Sequence, residues 1–113
     1  MDKPKRMFLS LPMHGKSEDE IKATIKAMQD WHKRAFPASH PSYIDNHDFK
    51  ANSEILAFVN ERIYYLGAAI QLLSTCDFAM FAPGWESANG CLIEKEVCDK
   101  YFIPYIFIPE GEL

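Results

Sequence analysis

An apolar run, Met7-Phe8-Leu9-Ser10-Leu11, follows a charged start and ends at Pro12, which predicts a short buried strand. Ser17, with Glu20 three residues later, matches a capping box, and Ile21, Ile25, Met28 and Trp31 then recur at helical spacing. This helix is expected to run to about Phe36, where Pro37 stops it. Ser42-Tyr43-Ile44 reads as a second strand, and the polar stretch Asp45–Ser53 as a loop. Ile55–Thr75 predicts one long helix, with Gly67 as the place for any break. Its apolar positions include Leu56, Val59, Ile63, Leu66, Ile70 and Leu73. Phe78–Ala82 is apolar on both faces, as a central strand of a covered sheet would be. Gly90–Tyr101 predicts a helix and Pro104–Ile108 a last strand.

Strands alternating with helices call for an α/β fold in three layers, with a parallel sheet of four to five strands and right-handed crossovers. For so short a doubly wound chain the expected flavodoxin-like strand order is 2-1-3-4. The first and third strands are then neighbours whose crossovers leave on opposite faces, and ligands bind beyond their carboxyl ends. The loops that end those strands are Pro12–Lys16 and Pro83–Asn89. The site is expected where they meet.

Composition narrows the partners. The 113 residues suit one domain spanning 1–113, with a net charge of −4. Basic residues are dispersed apart from Lys3, Lys5 and Arg6, which argues against binding a nucleic-acid backbone. No apolar stretch approaches the length of a membrane span, and none after the start resembles a signal peptide. The three cysteines, Cys76, Cys91 and Cys98, form no Cys-x-x-Cys, so reduced thiols in a cytoplasmic protein are the reading, without a zinc site. His32, His40 and His47 share no metal-ligand spacing, and the Asp45, His47, Asp48 cluster reads as a polar loop. No metal and no cofactor is expected.

One residue breaks the pattern. Cys91, Glu94, Val97, Cys98 and Tyr101 form a single stripe on the last helix, and Glu94 is its one charged member. A carboxylate packed toward the sheet is costly without partners. It is a candidate nucleophile or general base, or else it sits at the stripe's edge and caps backbone N–H groups. Ser10–Ser17 misses the P-loop pattern by one residue, but Pro12 removes a donor from the cradle and the third strand ends without an aspartate for a metal. The loop can still hold a phosphate or sugar hydroxyl through Pro12, Met13, His14 and Gly15 and the helix start. Trp85 either stacks on a base or packs over the sheet end, and Glu86 either binds a hydroxyl or is solvated. Asn89 and Gly90 complete the candidate binding residues.

Three segments together resemble the nucleoside 2-deoxyribosyltransferase-like family, in its small branch common in phages and Gram-positive bacteria. They are Phe8–Ser17, Tyr65–Asp77 with its Leu-Leu-Ser-Thr-Cys-Asp ending, and Phe81-Ala-Pro-Gly-Trp-Glu86 followed by Gly90-x-x-x-Glu94. The resemblance spans about residues 7 to 108. It implies a Rossmann-like fold and a homo-oligomer, a dimer or higher. It also implies cleavage of the N-glycosidic bond of a small-molecule deoxynucleoside or its monophosphate. In active members the glutamate of Gly-x-x-x-Glu attacks the anomeric carbon, the position of Glu94. Such members carry tyrosine at Phe8, glycine at Leu11, aspartate at Ala69 and often serine near Ala88. These departures leave a second expectation, a binding protein that senses or sequesters a nucleotide metabolite without turnover. Asp45–Asn52 and Pro109–Leu113 are the segments that would complete a neighbour's site in an oligomer.

Overall fold

The structure is a computed structural model that describes residues 4–47 and 53–113. Strand β1 (Arg6–Ser10) leads through α1 (Glu18–Ala35) to β2 (Ser42–Ile44). Helices α2 (Ser53–Leu56) and α3 (Glu61–Leu73) lead to β3 (Phe78–Phe81). A 3₁₀ turn (Trp85–Ser87) and α4 (Asn89–Tyr101) precede β4 (Tyr105–Phe107). All pairings are parallel, in the order β2-β1-β3-β4, which is the predicted topology.

The pleat sorts side chains into two cores. Met7, Leu9 and Leu11 point to one face with Met28 of α1, Met80 and Ile108. Phe8 points to the other with Ala69 and Leu73 of α3, Ala79, Phe81, and Cys91 and Cys98 of α4. Ser10 shares the parity of Phe8, so it too faces α3 and α4.

Two expectations are corrected. The helix over Ile55–Thr75 is interrupted at residues 57–60, not at Gly67. Asn60 restarts it as N-cap of α3, its side chain accepting from the Ile63 amide at 3.1 Å. Ile63 is consequently 66% exposed, and the buried stripe rests on Ala69 and Leu73. Tyr101, placed on the buried stripe of α4, is exposed. The chain turns at Phe102 (φ 61°, ψ 38°), and Ile103 beyond that turn packs against the core instead.

Candidate functional site

The loops after β1 and β3 meet beyond the sheet. Gly84, at φ 90°, comes so close to Pro12 that a Cβ there would sit 3.6 Å from the proline ring. Gly15, at φ 76°, turns the first loop back so that the Lys16 amide donates to the Met13 carbonyl at 3.1 Å. Next to these loops lies a cavity of about 730 Å³. It lies at the carboxyl ends of the two central strands, where the crossovers diverge.

Glu94 lines this cavity and is only 7% exposed. The Ser10 hydroxyl, 1% exposed, donates to Glu94 Oε1 at 2.6 Å. That is an ordinary length for an O–H donating to a carboxylate. The bond ties the end of β1 to the second turn of α4. Burial pushes the Glu94 carboxyl up to about 7, and the Ser10 hydroxyl works in the opposite direction. Near neutrality the group therefore exists in both protonation states. Cys91, beside it on the wall, is pushed up to about 11 by burial and stays a thiol. Of the two, the carboxyl is the group able to serve as an anion in this cavity.

The entrance to α4 is open. Its N-cap, Ala88, makes no side-chain hydrogen bond to the first turn, whereas α1 begins with a complete capping box at Ser17 and Glu20. The cavity wall includes Ala88, Asn89 and Gly90 at that uncapped end. Helix α3 contributes Glu61, Arg62, Tyr65, Leu66 and Ala69, all on one face by their spacing.

Of the residues singled out in the sequence, Glu94, Pro12, Met13, His14, Asn89 and Gly90 line the cavity. Gly15, Trp85 and Glu86 do not. Gly15 shapes the turn, and Glu86 is exposed. Trp85 stacks on Phe107 with centroids 4.8 Å apart and planes 14° apart, and meets Phe81 edge-on at 6.2 Å. Lys95 lies 5.8 Å above its ring. Of its two readings, the arrangement matches packing over the sheet end. Asp77, at the opposite end of β3, accepts from the Arg6 amide at 2.8 Å and holds the start of β1. Among the described residues no cluster of metal ligands exists. Asp48 and residues 48–52 of the segment Asp45–Asn52 lie outside the described residues.

Sequence reasoning passed over Ser10, Arg62 and Tyr65, which also line the wall, and Asn46 of the segment Asp45–Asn52 lines the cavity of its own chain. For Ser10 a signal existed: a lone hydroxyl in an apolar strand, on the parity of the face that α4 covers. Asn46 reaches the site from the end of β2, donating from Nδ2 to the Tyr65 carbonyl at 3.0 Å. Among the described residues no helix is long and apolar enough to cross a membrane. Compared with family models, curated proteins and solved structures, the chain finds no match in any of the three.

Proposed function

We propose that the protein cleaves or transfers across the N-glycosidic bond of a deoxynucleoside or deoxynucleotide, with Glu94 as nucleophile. The observation that carries this reading is a buried carboxylate, fixed by a buried serine, on the wall of a cavity at the switch point of the sheet. Ser10 occupies Oε1, which leaves Oε2 for chemistry. An Oε2 lone pair forms a bond to the anomeric carbon as the carbon–nitrogen bond breaks. The electron pair departs with the base, which takes a proton from solvent, and the water or second base that attacks next gives one back. Water or a second base then attacks the same carbon, and its bond to Glu94 breaks, restoring the carboxylate. Two displacements give net retention, as in retaining glycosidases. Desolvation favours the reaction in an elementary way, because the carboxylate loses its charge as it bonds to the sugar.

A second reading has an observation of its own. Phe8, Leu11, Ala69 and Ala88, which stand where active members of the resembled family carry tyrosine, glycine, aspartate and serine, all line this cavity. A wall that lacks the tyrosine, aspartate and serine suits a protein that binds a nucleotide metabolite and turns it over slowly or not at all. Incubation with purine and pyrimidine deoxynucleosides and their 5′-monophosphates decides between them. Free base that disappears with Glu94→Ala supports the enzyme. Thermal stabilisation by the same compounds without free base supports the binder. A chain that neither releases base nor gains stability contradicts both.

A further inference from the structure

The cavity is polarised from floor to mouth. Phe8, Ser10, Ala69 and Glu94, all buried, form its floor. Lys16 and Arg62, both exposed, line its mouth. Neither forms a salt bridge among the described residues, although α1 and α4 carry several lysine–carboxylate pairs. The two cations belong to elements drawn together by the end of β2. His47 Nε2 lies 3.6 Å from Glu18 at the start of α1, and its neighbour Asn46 holds the Tyr65 carbonyl of α3. Lys16 is two residues before Glu18, and Arg62 lies three before Tyr65 on the same face of α3. From Ala69 on the floor to Arg62 the helix rises about 10 Å, so Arg62 stands at the opposite end of the α3 wall from the floor.

Resting on the glycosidic reading for the floor of the cavity, we infer that Lys16 and Arg62 form an anion subsite that takes the 5′-phosphate of a nucleoside monophosphate. A chain of net charge −4 repels a phosphorylated ligand at long range, so capture depends on unpaired cations at the point of entry. Arg62 suits the role through its planar fork of donors, and Lys16 as a point charge. Glu61, the one other carboxylate on the described wall, precedes Arg62 in the first turn of α3. It disfavours a second anion, which makes the subsite one for a single phosphate.

The test compares binding of a 2′-deoxynucleoside and its 5′-monophosphate by calorimetry, in the parent chain and in Arg62→Ala, Lys16→Ala, Arg62→Lys and a distant control, Lys100→Ala. The monophosphate is expected to bind at least about tenfold more tightly than the nucleoside, the range for charge-assisted hydrogen bonds. Arg62→Ala and Lys16→Ala each remove most of that advantage, read as the ratio of the two affinities within each variant, while Lys100→Ala keeps it. Arg62→Lys restores part of it, and added salt erodes it. Equal affinity for the two compounds, or an advantage that survives both alanine variants, overturns the subsite. Base release accompanied by equal affinity for both compounds overturns the subsite and leaves the glycosidic reading standing. A phosphate preference that depends on Arg62, with no base release from either compound, does the reverse.

Discussion

Two polar pairs lie on opposite faces of one sheet, one fully buried and one with only its histidine buried, and they differ in whether they line the cavity beyond the sheet. On the α1 face, His32 is 2% exposed and its Nδ1 lies 2.9 Å from the Tyr43 hydroxyl. On the α4 face, Ser10 donates to Glu94 at 2.6 Å. Both pairs satisfy buried polar groups with a single short contact. Neither His32 nor Tyr43 lines the cavity, whereas Ser10 and Glu94 both do. Burial and hydrogen bonding are thus the ordinary condition of an interior polar group. What distinguishes a site is that one atom of the pair keeps open space in front of it. The ends of the two helices repeat the contrast: α1 closes its first turn with a capping box, and α4 leaves its first turn open at the cavity.

The largest test of this contrast is catalytic. Glu94→Ala is expected to reduce base release roughly 10³-fold or more, the scale for loss of a nucleophile. His32→Ala, an equally buried site, leaves the rate per folded molecule unchanged. Equal losses from the two would erase the distinction.

Stability against pH sharpens it further, because the two groups push in opposite directions. The Glu94 carboxyl titrates at about 7 in the fold against an ordinary value of 4.5. The stability this lends is fully present below pH 4.5 and is lost as pH rises through 7, by about 3 kcal/mol. Glu94→Gln should therefore be more stable than the parent at pH 8 by about that amount, and the gap should close toward pH 4. Denaturant midpoints of the two proteins across this range measure it. Burial instead holds the His32 imidazole below its ordinary 6.5. Its contribution is present above that pH and lost as pH falls through the lowered value. A gap between parent and Glu94→Gln that is flat with pH would contradict the buried carboxyl.

Ser10→Ala should act through Glu94. Without the donor, the carboxyl rises further, so the alkaline-going limb of the rate profile moves to higher pH, with about a tenfold loss below it. A purely structural serine would lower stability and leave that limb in place. The smallest effect is on the other face. Tyr43→Phe is expected to cost about 1 kcal/mol in denaturant unfolding, with nucleotide binding unaltered.

How much of this was legible in the sequence depended on which force dominated locally. The strands were readable because a parallel sheet buried on both faces requires uninterrupted apolar runs, as at Phe78–Phe81. Glu94 was readable because a helix has one buried stripe, and a charge on it stands out. The break before α3 was hidden, since apolar residues continue at helical spacing through Val59 and Ile63, and only the cap at Asn60 reveals it. Tyr101 was misread because spacing extends a stripe past the point where the helix leaves the core. Arg62 could not be found from one dimension, and Asn46 only as a member of the segment Asp45–Asn52. Their place on the cavity wall follows from how β2 and α3 are brought together, which no local pattern encodes.

The most direct measurement is mass spectrometry of the protein after reaction with a 2′-fluorinated deoxynucleoside or its monophosphate, a substituent that slows breakdown of a glycosyl intermediate. A sugar adduct without its base, on the peptide containing Glu94 and absent in Glu94→Gln, is the expected result. An unmodified protein, or an adduct on another residue while free base is still produced, would contradict the assignment of Glu94 as nucleophile.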